Sequence, residues 1–341
     1  MAKLNPKEAT SLLRPGAHGP LSAADAVTVT ATARLHFGFL DPSGRGTHPF
    51  GSFGLSLDRP RTRLTLRLAA SFDASGPESP RALRYLRAIA ESYGVSRAYA
   101  IEIAEAIAPH AGLGSGTQLA LAVGSAFAAL ERLSLPPQQM AARLGRGARS
   151  GIGIGTFAAG GAVLDSGPAQ GQLPRLVRRI PFPPEWRVLL MLDPDHEGLA
   201  GANEISAFET LPDFPDSAAS QLREWIVGRA LPALEARDFD NFCAEVGALQ
   251  ERMGVYFAPL QGGAYTSPRV AEILDWLRGQ GVTGLGQSSW GPTGFAFARS
   301  PQEGEALLGA ARRQAHAGLT LELARGRNEG AVIEAVSQKS R

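Results

Sequence analysis

Cysteine is almost missing from this 341-residue chain: Cys243 stands alone, which excludes a disulfide within the chain and a cysteine-rich metal site. It lies in the apolar stretch 239–246 and is read as a buried core thiol. Long apolar runs are missing as well. Nothing approaches the roughly 18 residues that span a bilayer, so no membrane segment is expected. The first twenty residues contain no continuous apolar segment. They are read as part of a flexible extension, residues 1–24, and not as a signal peptide, which points to the cytoplasm. Net charge is small: 34 basic against 32 acidic residues leave +2, so despite a pI of 8.9 nucleic acid is not an expected partner. Lysine is scarce and arginine greatly outnumbers it, which suits bidentate capture of phosphate or carboxylate. What remains, 44% apolar and 19% charged, is a globular composition.

The length favours two lobes over one core. Alternation predicts strands over Val27–Ala33, Thr62–Leu68 and Tyr99–Ile107. Between the first two, residues 34–57 form a Gly-, Pro- and aromatic-rich connection. Helical spacing predicts helices over Pro80–Tyr93, closed by Gly94, and over Thr117–Arg132, whose apolar residues lie on nearly every side and place it centrally. The proline-rich segment Leu173–Pro184 reads as a linker. Beyond it come a strand at Arg187–Leu192, helices at Ser217–Arg237 (interrupted at Pro232) and Asp238–Met253, and a helix capped by Ser267-Pro268. Strands at Val282–Leu285, Gly294–Arg299 and Leu319–Ala324 and a helix at Pro301–His316 complete the chain. Hairpin-like strand pairs make this an α+β chain, divided at 25–184 and 185–341.

Three Gly-rich turns carry the chemistry. In the first, Pro109–Gln118, glycines at 112, 114 and 116 let backbone N–H groups face a ligand, and the turn delivers the chain into a helix whose first N–H groups are unpaired. Ser115 and Thr117 add hydroxyls. This is an anion cradle suited to phosphate. The second, Gly145–Gly155, holds Arg146 and Arg149 among small residues. The third is Gly286–Gly294, with Ser288, Ser289, Trp290 and Gly291.

These segments resemble the GHMP superfamily, whose phosphate loop reads roughly Pro-x-x-x-Gly-Leu-Gly-Ser-Ser and here takes the form Pro109…Gly112-Leu113-Gly114-Ser115-Gly116. Within it, four segments together are similar to the β-ribofuranosylaminobenzene 5′-phosphate synthases of tetrahydromethanopterin biosynthesis. They are Arg34-Leu35-His36-Phe37-Gly38-Phe39, Gly112–Gln118, Arg146–Gly153 and Ser288–Pro292, and the resemblance extends over about residues 25–330. It implies a two-lobed GHMP-type fold with an N-terminal ribosomal-S5-domain-2-like lobe and a C-terminal ferredoxin-like α/β sandwich. Kinases of the superfamily place a metal-holding serine where Gly116 stands. Many carry an acidic base just before the Gly-Gly strand, but residues 150–161 here contain no acid, and Asp165 comes only later.

The resemblance further implies the reaction. 5-Phosphoribosyl 1-pyrophosphate joins 4-aminobenzoate or 4-hydroxybenzoate through a carbon–carbon bond, releasing CO₂ and pyrophosphate. Mg²⁺ is the implied cofactor and a homodimer the expected assembly. His36, Ser115 and Arg149 are the catalytic candidates. Arg34, Gly112, Gly114, Gly116, Thr117, Gln118, Arg146, Ser150, Gly151, Ser288, Ser289, Trp290 and Gly291 are the substrate-binding candidates. Arg146 and Arg149 are assigned to the 5′-phosphate. Trp290 is read mainly as packing between lobes, and Asp193 and Asp195 mainly as a solvated loop, with metal binding as the alternative. An ATP-dependent GHMP small-molecule kinase and a catalytically silent ligand-binding member are the competing functions.

Overall fold

The structure, a computed structural model, describes residues 26–45, 49–169, 171–199 and 201–336. The reading of residues 1–24 as an extension lies outside them.

The first sheet begins with a long antiparallel hairpin, β1 (Ala26–Asp41) and β2 (Phe50–Ala69). It continues with β3 (Asp73–Ser75), α1 (Ser79–Ser92), β4 (Ala98–Glu105), α2 (Ser115–Leu130), α3 (Pro137–Arg143), α4 (Ile152–Ala159), β5 (Ala162–Asp165) and β6 (Leu176–Ile180). Strand order is β11-β1-β2-β4-β3, and β5 pairs with β2 and with β6. The second sheet runs β10-β7-β9-β8 and is antiparallel. It comprises β7 (Arg187–Leu192), β8 (Leu285–Gln287), β9 (Gly294–Ala298) and β10 (Thr320–Ala324). Its helices are α5 (Gly201–Thr210), α6 (Asp216–Arg223), α7 (Leu231–Glu235), α8 (Phe239–Gln261), α9 (Pro268–Gly279) and α10 (Pro301–Gln314). The chain then returns to the first sheet, where β11 (Val332–Val336) pairs with β1.

Three expectations are corrected. Residues 34–41 are strand, not connection. Every residue from Leu35 to Asp41 is buried, because this half of β1 lies between the lobes and packs Leu35, Phe37 and Phe39 into their shared core. A strand covered on both faces loses the alternation that marks a half-buried one. The expected linker at 173–184 contains β6, which pairs with β5; its prolines flank the strand, where no ladder N–H is needed. The helix expected at 217–237 is unbroken but changes its winding: residues Glu224–Ala230 are π-helical before Pro232. Proline lacks an N–H and its ring crowds the preceding turn, so the wider winding accommodates it.

Helix α2 packs on β1 and β2 and is buried along most of its length, as its all-round apolar pattern predicts. Ser267 caps α9 by accepting from the N–H of Val270. Cys243 is buried, and burial pushes its thiol pKa up.

Candidate active site

The three Gly-rich turns converge on a cleft of about 750 Å³ between the sheets. The first turn hands β4 to α2. Gly112 has φ +76°, and a Cβ there would stand 2.3 Å from the Ser288 carbonyl oxygen and 2.8 Å from that of Gly291. Glycine is therefore required both by conformation and by the closeness of the third turn. The contact is bonded as well as tight. Ser288 Oγ donates to the Gly112 carbonyl at 2.8 Å and accepts from the His36 N–H at 3.0 Å, and the Ser289 N–H donates to the His36 carbonyl at 3.1 Å. Arg34 donates through Nη1 to the Gly112 carbonyl and through its backbone N–H to Leu113 at 3.1 Å. Gly198 donates to the His110 carbonyl at 2.8 Å, adding the loop after β7 to the same assembly.

Gly114, at φ +83°, precedes the first turn of α2, and no side chain caps that helix end. Ser115, Gly116 and Thr117 line the cleft there. A Cβ at Gly116 would stand 3.4 Å from Nη1 of both Arg81 and Arg146. Arg146 donates through Nη2 to the Tyr85 hydroxyl, and its guanidinium lies 5.3 Å over the Tyr85 ring. Burial draws Arg34 down to about 10, against the pull of Glu204, so it stays charged near neutral pH. The cleft thus presents Arg34, Arg81, Arg84 and Arg146 together with the positive end of α2. Arg81 and Arg84 come from the first turns of α1 and were not singled out in the sequence. Arginine on a helix reads as solvated surface until the fold faces it toward a turn.

Of the other expected site residues, Arg149 and Gln118 are not among those that line the cleft. Arg149 pairs with Glu204 Oε2 at 2.8 Å and lies 4.9 Å over the Phe208 ring. Glu204 Oε1 in turn accepts from Trp290 Nε1 at 3.3 Å. This chain ties the second turn to α5 and the third turn. Trp290 lines the cleft and packs 4.6 Å from Phe257 and 5.5 Å from Phe208 between ring centroids. Gln118 is fully buried and donates to the Gly153 carbonyl at 2.9 Å, joining α2 to α4.

Ser150 and Gly151 sit over Asp165, which is buried and accepts from Gly151 N at 2.8 Å, Gly167 N at 2.7 Å and Ser52 Oγ at 2.7 Å. Burial raises the Asp165 pKa while these donors oppose the rise. An acid does stand beneath the acid-free stretch, but its lone pairs are taken up in holding the start of α4.

His36 is 3% exposed and faces away from the cleft, into a cavity of about 30 Å³ behind Trp290 that Phe39, Gln250, Met253 and Phe257 also line. That space suits a water or two, not an aromatic ring. Burial and the Arg34 charge push the His36 pKa down to about 3, and its Nε2 has no protein partner. Between that value and the ordinary one near 6.5, the unfolded chain binds a proton that the folded chain does not. Stability is therefore full above pH 6.5 and falls as pH drops toward 3. We expect His36 to cost about 2 kcal/mol between pH 7 and pH 5. Urea denaturation of His36→Asn at both pH values should show a flatter loss than the parent; parallel losses would place the titration elsewhere.

Asp193, read as part of a solvated loop, is instead buried, accepting from Ser267 Oγ at 2.5 Å and from Arg269, which also holds Asp195. Through Ser267 and Arg269 these carboxylates brace the start of α9. Among the described residues no group of three or more His, Cys, Asp or Glu side chains is placed to hold a metal ion. Among the described residues no helix is long and apolar enough to cross a membrane.

Residues 81–161 match the family model for the GHMP kinases N terminal domain, and residues 230–317 the model for GHMP kinases C terminal. The chain is 30% identical to the beta-ribofuranosylphenol 5'-phosphate synthase of Archaeoglobus fulgidus, across 79% of this chain and 86% of that protein. It is 26% identical to the enzyme of the same name from Methanothermobacter thermautotrophicus, across 79% and 87%. Among solved structures, homoserine kinase from Cytophaga hutchinsonii superposes with a TM-score of 0.67 at 16% identity, across 92% of this chain and 99% of that one. Mevalonate diphosphate decarboxylase from Staphylococcus aureus superposes at 0.65 and 13% identity, across 93% and 100%. These two likenesses concern fold alone, and they agree with the two-lobed α+β architecture expected from the sequence. With Gly112–Gln118, the arginine-bearing second turn and the third turn brought to one cleft, the chain belongs to the beta-ribofuranosylphenol 5'-phosphate synthase family and carries the GHMP kinase fold.

Proposed function

We propose that this chain is a decarboxylating synthase that joins 5-phosphoribosyl 1-pyrophosphate to a 4-substituted benzoate, releasing CO₂ and pyrophosphate. The observation that carries the reading is the cleft itself: four arginines, three glutamates and an uncapped helix N-terminus line one space of about 750 Å³, with the arginines Arg81 and Arg146 gathered at the helix end, and it is wide enough for a polyanionic sugar and a small aromatic acid together. The relatives' name, which describes a ribofuranosylphenol, favours 4-hydroxybenzoate over 4-aminobenzoate as the acid.

The chemistry asks little acid–base work of the protein. The para hydroxyl donates electron density to the ring carbon that bears the carboxylate. That carbon attacks ribose C1 on the face opposite pyrophosphate, and the C1–O bond breaks with its electron pair leaving on pyrophosphate. The electrons of the C–CO₂⁻ bond then restore aromaticity as CO₂ departs. The balance requires no net proton transfer, so the reaction calls on none of the glutamates that line the cleft, Glu78, Glu197 and Glu204, as an acid or base. The protein's part is to bind, orient and stabilise the leaving group. The loop amides, Ser115 and Thr117 receive pyrophosphate, Arg146 adds charge, and Trp290 and Tyr85 give the ring apolar wall. Arg149 acts indirectly, by holding Glu204 and hence the third turn. Mg²⁺, when bound with the substrate, would neutralise charge on the departing pyrophosphate.

The test is an assay of protein with Mg²⁺, phosphoribosyl pyrophosphate and each aromatic acid, following CO₂ and pyrophosphate. Stoichiometric release of both supports the reading. Phosphate transfer from ATP to an alcohol, with no reaction of the sugar pyrophosphate, would establish the kinase instead.

A further inference from the structure

Two guanidinium groups from distant parts of the chain stand over one glycine. Arg81 comes from α1 and Arg146 from the turn after α3, and Nη1 of each lies 3.4 Å from the point a Cβ on Gly116 would occupy. Such a point, in contact with two cations and beside the open end of α2, suits an anion's oxygen and disfavours a cation. Left alone, the two guanidinium groups repel each other. Two local devices reduce the repulsion. Glu78 pairs with Arg81, and Tyr85 supports Arg146 with its hydroxyl and ring face. Arg146 Nε is buried without a partner, so donor capacity remains. Glu78 itself is held at φ +61°, a conformation that non-glycine residues rarely adopt, at the residue that opens α1 into the cleft.

We propose that Glu78, Arg81, Arg146 and Gly116 form an anion pole for the substrate's pyrophosphate, in which Glu78 is a built-in competitor that ligand binding displaces from Arg81. The proposal rests on the reading of the substrate as a sugar pyrophosphate. Pyrophosphate is assigned here, and the 5′-phosphate elsewhere, because this is where helix end and paired cations coincide. The leaving group gains the most charge as the C1–O bond breaks, and stabilisation counts most there. Gly116 has no side chain because a side chain would occupy the oxygen's place.

Titration calorimetry of the full chain with inorganic pyrophosphate at fixed ionic strength tests this. Arg81→Gln and Gly116→Ala should each weaken binding at least tenfold. Gly116→Ala should do so with an unchanged melting temperature, since a methyl there meets only ordinary contacts. Glu78→Gln should tighten binding about three- to tenfold, a direction that a merely structural acid would not produce. Should Arg81→Gln fail to fold, the Glu78 and Gly116 variants still decide the matter. Unchanged or weaker binding in Glu78→Gln, or parent-like binding in Gly116→Ala, overturns the pole. Turnover by the parent separates the two levels. A parent that forms the C-riboside while these variants bind normally loses the pole and keeps the reaction. A parent that forms none while the variants respond as stated keeps the pole and loses the reaction.

Discussion

Gly112→Ala is expected to lower kcat/KM at least a hundredfold and to destabilise the protein by about 2–5 kcal/mol. The added methyl would meet the Ser288 carbonyl oxygen at 2.3 Å and that of Gly291 at 2.8 Å, and neither backbone atom can rotate away. The left-handed conformation at φ +76° adds about 1–2 kcal/mol for any residue with a Cβ, and overpacking adds about 1–3 kcal/mol. The effect on rate should exceed what instability explains. Ser288 hydrogen-bonds both Gly112 and the N–H of His36, so pushing it away shifts the first turn against Arg34 and Trp290 together. A displacement of about 1 Å in a positioned site commonly costs about a hundredfold. Steady-state kinetics under conditions where the variant remains folded, with urea denaturation alongside, checks both parts. Parent-like turnover would mean that the apposition of the two turns serves stability alone.

The second large effect is expected at Arg146. Arg146→Met keeps the aliphatic packing against Tyr85 and removes the charge over α2. It should raise KM for phosphoribosyl pyrophosphate at least tenfold and lower kcat/KM by roughly 10²–10³, the range found when one donor to a developing anion is lost. Arg149→Met is the instructive control. Its guanidinium is paired with Glu204 at 2.8 Å, and both side chains are about a quarter exposed. A partly exposed pair contributes about 1 kcal/mol or less, so its loss should appear mainly as modest instability. If Arg149→Met instead raised KM as much as Arg146→Met, the Glu204 pair would have to open when substrate binds.

The contrast between these two arginines shows where sequence reasoning ends. Both stand in the same glycine-rich stretch and have the same chemistry, and nothing local ranks them. The fold turns Arg146 over α2 and Arg149 toward α5. Arg81 and Glu78 carried no signal, because charges at the start of an amphipathic helix read as ordinary surface. Asp165 was passed over as too far from Ser150 in sequence, yet β5 returns it beneath that turn.

Much was nonetheless determined by the sequence alone. The glycine spacing of Pro109–Gln118, the all-round apolar pattern of α2, the Ser267-Pro268 cap and the order of the three turns are local features. Glycine's conformational range, helical periodicity and capping act over a few residues, so they can be read without coordinates. Tertiary structure decided which face of each element meets another: that the second half of β1 is buried between lobes, that residues 176–180 join a sheet, and that His36 lines a small cavity beside Trp290 instead of the main cleft. Those outcomes rest on contacts between residues far apart in the chain. The free energy of such a contact depends on the partner that folding supplies and not on the neighbours in sequence.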